Sequence, residues 1–262
     1  STKVDQLKVN VFINRDSLGR AAAEYTAELI KDFMAKQEKV RIVFAAAPSQ
    51  DEFLAYLSEN EDIDWKRITA FHMDEYVGLS NDHPAKFGRY LEHHIFKKVP
   101  IGEIHYMISD GNIEQACKVY GEMLKEAPID IVCLGIGENG HIAFNDPGVA
   151  DFHDSKIVKK VLLDEVCRMQ QVHDGCFPNL AAVPREAITL TIPTLFSAKS
   201  MVCIVPGKTK RSAVKHTLYG PISEECPASI LRQHSNSTLF VDQEAFGSPN
   251  DGIGSKKNGT HQ

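Results

Sequence analysis

The sequence predicts an α/β fold in one domain, with a mostly parallel sheet at its centre. Two observations carry that expectation. Short apolar runs alternate along the chain with segments of helical composition, the pattern of strand–helix–strand units. One of those runs, Ile131-Val-Cys-Leu-Gly-Ile-Gly137, stays apolar up to its glycines, which suits a strand buried on both faces of a parallel sheet. No internal repeat and no linker interrupts the chain before Gly247, so residues 1–246 read as a single domain. From Gly247 the chain is rich in Gly, Ser, Asn and Lys, and residues 247–262 are expected to be a disordered tail.

Taken in order, residues 9–13 alternate as a short strand, and Asp16 or Ser17 is placed to cap the Ala-rich helix that continues to Met34. Residues 40–47 form the next strand, ending in Pro48-Ser49, with Ser49 positioned to cap a helix to about Glu59. Residues 68–73 form a third strand that delivers Asp74 and Glu75 to its end. A loop and a helix opening at Pro84 follow. Residues 104–108 then read as a strand and 112–125 as a helix. Beyond the glycine-rich stretch, residues 156–163 suit a half-exposed strand, and 164–177 are helical or irregular. Residues 187–192 form a strand halted by Pro193. Residues 201–205 form another, followed by a helix to about Leu218. A short helix over 228–233 and a strand over 238–241 complete the pattern.

Composition narrows the function. Charged residues are 24% and the hydrophobic set 43% of the 262 residues, ordinary for a globular protein. A net charge of −6 argues against a broad nucleic-acid surface, while local basic groups can still serve a small anionic ligand. No apolar run approaches the ~20 residues of a membrane span, and no signal peptide opens the sequence. Six cysteines lie scattered without a C-x-x-C pair, and Cys117, Cys133 and Cys203 sit in apolar segments. A reduced, cytoplasmic protein is expected.

Gly135-x-Gly137-x-x-Gly140 matches the dinucleotide fingerprint literally, but Pro147-Gly148 arrives too soon for the crossover helix that fingerprint needs. The stretch reads better as a ligand-binding loop at the carboxyl end of a strand. Gly137 there lets the backbone approach the ligand, and His141 is flanked by Asn139 and Asp146. Histidine can take and return a proton near neutrality, and a neighbouring carboxylate supports its charged form. Asp74, at a strand end, is placed to abstract a proton, with burial raising its pKa toward usefulness. Gly207-Lys208-Thr209-Lys210 opens a helix after a strand and offers N–H groups and ammonium charge to an anion, which Ser49 can join from its own helix start. The eleven histidines show no metal-ligand spacing, and no catalytic metal is expected.

Phe71-His-Met-Asp-Glu-Tyr-Val-Gly-Leu79 and Leu134-Gly-Ile-Gly-Glu-Asn-Gly-His-Ile-Ala-Phe-Asn-Asp-Pro-Gly148 resemble the two signature motifs of glucosamine-6-phosphate deaminases, over a similarity that runs from about Val9 to Phe246. The resemblance implies a three-layer, Rossmann-like domain shared with 6-phosphogluconolactonases, and neither metal nor redox cofactor. It implies Asp74 as the residue that shuttles a proton between C1 and C2 of the open-chain sugar. His141 matches the ring-opening histidine, with Asn139 and Asp146 as its partners. Lys210 matches the phosphate-binding lysine, with Lys208 as the alternative. The reaction it implies releases ammonia and a ketose 6-phosphate from an amino-sugar phosphate. Family members range from monomers to hexamers, which leaves a homo-oligomer open.

The sequence also departs from that pattern. The family's phosphate loop is rich in Gly and Thr, whereas Ala46-Ala47-Pro48-Ser49-Gln50 keeps only Ser49 as a ligand. Asp146 stands where the family usually has Glu, and Asn139 where some members have Asp. In the segment matching the family's Arg-Phe-Phe lid, Arg168 is the only arginine. A lactonase using His141 to activate water, a non-deaminating sugar-phosphate isomerase and a sugar-phosphate-binding regulator are the alternative readings.

Overall fold

The apolar runs become the inner strands of an eight-stranded sheet in the computed structural model, which describes residues 1–247. In chain order the strands are β1 (Thr2–Val4), β2 (Leu7–Phe12), β3 (Val40–Phe44), β4 (Ile68–His72), β5 (Asp74–Tyr76), β6 (Glu103–His105), β7 (Ile131–Leu134), β8 (Val158–Leu162), β9 (Glu186–Leu190), β10 (Ser200–Val205) and β11 (Ser237–Asp242). The helices are α1 (Arg15–Met34), α2 (Asp51–Ser58), α3 (Phe87–Leu91), α4 (Ile113–Lys125), α5 (Glu165–His173), α6 (Ile192–Phe196), α7 (Arg211–Tyr219) and α8 (Gln243–Phe246). The large sheet runs β1-β2-β11-β10-β7-β3-β4-β6, with every pairing parallel except that of the edge strand β1.

The period-2 geometry of the strands divides the core. On β10, Met201, Cys203 and Val205 face one hydrophobic cluster while Val202 and Ile204 face the other. On β7, Val132 and Leu134 are separated from Ile131 and Cys133 in the same way. Helix α4 contributes Cys117, Tyr120 and Leu124 to one cluster, and α1 contributes Leu18, Ala22 and Ile30 to the opposite one. A sheet with an apolar layer on each face is the three-layer arrangement predicted.

Strand order fixes where a ligand can bind. From β3 the chain moves outward through β4 and β6, then returns to β7 on the other side of β3 and moves the opposite way to β10 and β11. The order therefore reverses between β3 and β7. In open parallel sheets the crevice outside the carboxyl ends at such a reversal is the binding site.

Several local expectations are corrected. An N-terminal hairpin, β1 against β2, was not legible; it closes through Asp5 at φ 51°. Asn14, not Asp16 or Ser17, caps α1, accepting from the Ser17 N–H in a capping box. Ser49 caps no helix: it lies in a 3₁₀ turn, Pro48–Gln50, ahead of α2. Pro193 opens α6 rather than merely halting a strand. The helix expected from Pro84 is α3 continued by a π-helical turn, Glu92–Phe96. Beyond Gly247 itself, the segment expected to be a tail lies outside the described residues.

Candidate active site

A second, three-stranded sheet explains how two distant stretches meet. After β4 the chain leaves the large sheet, and β5 pairs antiparallel with β9, which also pairs antiparallel with β8. Asp74 is the first residue of β5, opposite Thr189. The Thr189 hydroxyl accepts the Phe144 N–H at 3.1 Å, and the buried Asn145 amide donates to the Leu190 carbonyl at 2.9 Å and the Ile142 carbonyl at 3.0 Å. The loop carrying His141 is thus fastened to the strand that pairs with the one carrying Asp74. Both reach a cleft of about 480 Å³, counting its open mouth. Its lining includes Ala45–Ala47 and Ser49 after β3, Gly135–Gly137 and His141 after β7, Asp74 after β4, and Lys210.

Asp74 and its neighbour divide the labour that two adjacent carboxylates could share. Glu75 is consumed structurally, accepting N–H groups from Tyr76, Phe87 and Gly88, each at 3.0 Å, and so holding the start of α3. Asp74 lines the cleft with no side-chain hydrogen bond to any described residue, and burial, with the adjacent Glu75 charge, pushes its pKa well above the usual carboxylate range. Its backbone is fixed by His72. The His72 Nε2 accepts the Met107 N–H at 3.0 Å, so Nδ1 carries the proton and donates to the Asp74 carbonyl at 2.9 Å. Burial drives the His72 pKa down to about 4, which keeps that arrangement neutral.

The tautomer of His141 follows from similar reasoning. Asn139 Oδ1 accepts the His141 backbone N–H at 3.1 Å, which identifies that atom as the amide oxygen. The same oxygen lies 2.6 Å from Nδ1, so Nδ1 must be the donor and Nε2 keeps its lone pair. Burial, then the Lys210 charge, lowers the His141 pKa to about 3, leaving a neutral imidazole. Asp146 lies 3.2 Å from Nδ1, yet neither of its oxygens has a hydrogen bond of proper geometry. Burial, then Asp164, raises its pKa to about 7. Gly137 is what lets the imidazole lie over the loop, since a Cβ there would overlap the His141 ring. Gly140, at φ 85°, makes the turn that returns the chain to it.

His141, Asp146 and Cys167 are the one group of potential metal donors among the described residues, all within 4.8 Å of one another. The His141 nitrogen nearest the carboxylate is already engaged by Asn139. Cys167 carries a pKa raised by burial and by the two nearby carboxylates, so its thiol is neutral and a poor ligand as it stands.

Of the anion-binding candidates, Lys210 reaches the cleft and Lys208 does not: Lys210 is 7% exposed, while Lys208 faces solvent on the same 3₁₀ turn. The Lys210 ammonium makes no ion pair or hydrogen bond with any described residue, and burial lowers its pKa. Ser49 lies at the cleft wall with its hydroxyl accepting from Gln50 Nε2 at 3.1 Å. Arg168 is not brought to the cleft. Its guanidinium turns away to donate to the carbonyls of Leu180 at 2.8 Å and Val183 at 3.2 Å, bracing the loop after α5. The residues of α5 that do face the cleft, Gln170 and Gln171, were missed, because nothing in a polar helix marks which amides point inward.

This geometry defines a class: α/β enzymes with a cleft at the reversal of a parallel sheet, lined by a buried carboxylate and a neutral histidine. Residues 13–240 match the family described as glucosamine-6-phosphate isomerases/6-phosphogluconolactonase, and the chain belongs to that family. It is 34% identical over 236 residues to glucosamine-6-phosphate deaminase 1 of Bacillus subtilis, covering 88% of this chain and 94% of that protein. To the glucosamine-6-phosphate deaminase of Lactobacillus helveticus it is 31% identical, covering 91% and 96%. A monomeric glucosamine-6-phosphate deaminase superposes with a TM-score of 0.82 at 32% identity, over 91% of this chain and 98% of that one. The 6-phosphogluconolactonase of Thermotoga maritima shares the fold, with a TM-score of 0.71 at 21% identity over 90% and 99%. Among the described residues no helix is long and apolar enough to cross a membrane.

Proposed function

We propose that the protein converts an amino-sugar phosphate such as glucosamine 6-phosphate, with water, into ammonia and a ketose 6-phosphate. The observation that carries this reading is the convergence of Asp74 and the free Nε2 of His141 on one cleft that also holds a buried, unpaired lysine. Lys210 and the Ser49 hydroxyl bind the phosphate, assisted by the backbone at Gly137. His141 Nε2 accepts the proton of the anomeric hydroxyl and returns it to the ring oxygen, opening the ring. Asn139 holds the ring in that tautomer, and ionised Asp146 stabilises the imidazolium that forms transiently.

Asp74 then removes the proton from C2 and delivers it to C1. The C2 amine becomes an enolamine and then an imine, which water hydrolyses to the ketone with loss of ammonia. The raised pKa of Asp74 makes it a stronger base, and the substrate's own ammonium, arriving beside it, favours its ionised form. Arg168 is assigned no part in phosphate binding, and Lys208 none. Six unpaired cysteines suit a cytoplasmic setting.

The test is incubation with glucosamine 6-phosphate, galactosamine 6-phosphate and 6-phosphogluconolactone, following ammonia, ketose and acid. Ammonia and ketose in equal amounts are expected. Acid from the lactone alone would replace the deaminase reading with the lactonase one, and ligand-induced thermal stabilisation without turnover would favour a regulator.

A further inference from the structure

We infer that Gln171 is a specificity-determining residue, its side-chain amide N–H reading a chain hydroxyl of the sugar beside the carbons that Asp74 serves. The inference rests on the proposed function for the identity of the reacting carbons, and on geometry for the rest. Tyr76 is wholly buried, and its hydroxyl lies 2.6 Å from Gln171 Oε1. The phenol donates and the amide oxygen accepts. That fixes the orientation of the Gln171 amide and leaves its NH₂ group without an acceptor among the described residues. Gln171 is 6% exposed and lines the cleft, so the unused donors belong to the space a ligand would fill.

Position says what the donor meets. Asp74 and Tyr76 are two positions apart on β5, with Glu75 between them, and so project to the same face of that strand. Gln171, held by Tyr76, therefore sits on the Asp74 side of the cleft. Gln170 is built differently. Its oxygen accepts the Glu138 N–H at 2.7 Å, on the loop that carries His141. Helix α5 thus spans the two halves of the site, with Gln170 used as a tie and Gln171 offering a free donor. The cleft supplies donors at Gln171 and Lys210, which suits a substrate bearing oxygen acceptors at both places: a polyhydroxylated chain with an anionic end. A neutral amide at this position selects among hydroxyl configurations rather than for charge.

The experiment uses Gln171→Met, which keeps the length and removes both polar atoms, and Gln171→Glu, which keeps the acceptor for Tyr76 and removes the donor at alkaline pH. kcat and KM are measured with glucosamine 6-phosphate and with its C3 and C4 epimers. For Gln171→Met, the ratio of kcat/KM between the preferred sugar and at least one epimer should collapse about tenfold, the worth of one neutral hydrogen bond. For Gln171→Glu, KM should rise at least about tenfold at pH 8.5 and fall back toward wild type as the pH is lowered through the carboxyl's own pKa, because a neutral carboxyl again offers an O–H donor. A purely structural tie to Tyr76 predicts otherwise: Gln171→Glu with wild-type KM at every pH and unchanged epimer ratios. That outcome overturns the inference. If wild type turns over none of these sugars, the proposed function fails instead. The same variants then report through calorimetric binding of the sugar phosphates, where loss of the donor should weaken any wild-type binding about tenfold, and unchanged binding again overturns the inference.

Discussion

Replacing Asp146 by Asn should stabilise the protein in mild alkali while impairing it as a catalyst. Asp146 is wholly buried, its oxygens lack well-formed hydrogen bonds, and its pKa rises from an ordinary 3.8 to about 7. The folded state therefore holds a proton that the unfolded chain has already released above pH 4. Stability from this group falls as pH rises from about 4 to about 7 and changes little beyond. At about 1.4 kcal/mol per pH decade the full penalty is on the order of 4 kcal/mol, of which about 3 kcal/mol falls between pH 5 and pH 8. His141 contributes the opposite slope. Its folded pKa of about 3 lies below the ordinary 6.5, so its contribution is lost as pH falls through that interval. The wild-type profile mixes the two, and only the difference between variant and wild type isolates Asp146. Urea unfolding at pH 5 and pH 8 should show Asp146→Asn gaining about 3 kcal/mol on wild type between the two. Its kcat/KM should fall, since no anion remains to support the imidazolium. A constant difference across that range would refute the argument, and so would full activity in the variant.

Four further outcomes are expected. Asp74→Asn should abolish proton exchange at C2 while leaving ligand affinity within about threefold, read by isotope exchange and calorimetry; an active variant would remove Asp74 from the mechanism. Lys210→Met should raise KM about tenfold to a hundredfold, as loss of a buried charge-assisted contact implies, whereas Lys208→Met should leave steady-state kinetics unchanged. Gly137→Ala should cut kcat/KM by at least about a hundredfold because its methyl group overlaps the His141 ring, with the far-ultraviolet circular dichroism retained. Glu75→Ala should lower stability by about 2–4 kcal/mol in denaturant melts, since the Tyr76 N–H and the two N–H groups at the start of α3 lose their acceptor.

Much of this was legible in the sequence, for physical reasons that also mark its limits. The inner strands β3, β7 and β10 read cleanly because strands buried on both faces are predominantly apolar, with Arg41 and Ser200 the exceptions. The glycine-framed His141 was legible because close backbone packing requires glycine, as Gly137 demonstrates. What the sequence hid depends on direction. Asp74 and Glu75 are adjacent and chemically alike, and only the fold sends one to the cleft and the other to the start of α3. Arg168 and Gln171 lie on one short helix, and nothing local says that the arginine turns to the Leu180 carbonyl while the amide faces the cleft. The shift from β4 to β5, which places Asp74 in a second sheet, was hidden because residues 68–76 form one unbroken buried run whose partner strand is distant in sequence.

The central step of the proposed reaction is the transfer of a proton by Asp74 between two carbons of one substrate molecule. Turnover of glucosamine 6-phosphate in D₂O, followed by magnetic resonance of the ketose product, tests that directly. Deuterium is expected at C1 of the product wherever the shuttled proton exchanges with solvent, and the Asp74→Asn variant should form neither labelled nor unlabelled ketose. Ketose formed at wild-type rate by the Asp74→Asn variant would contradict it.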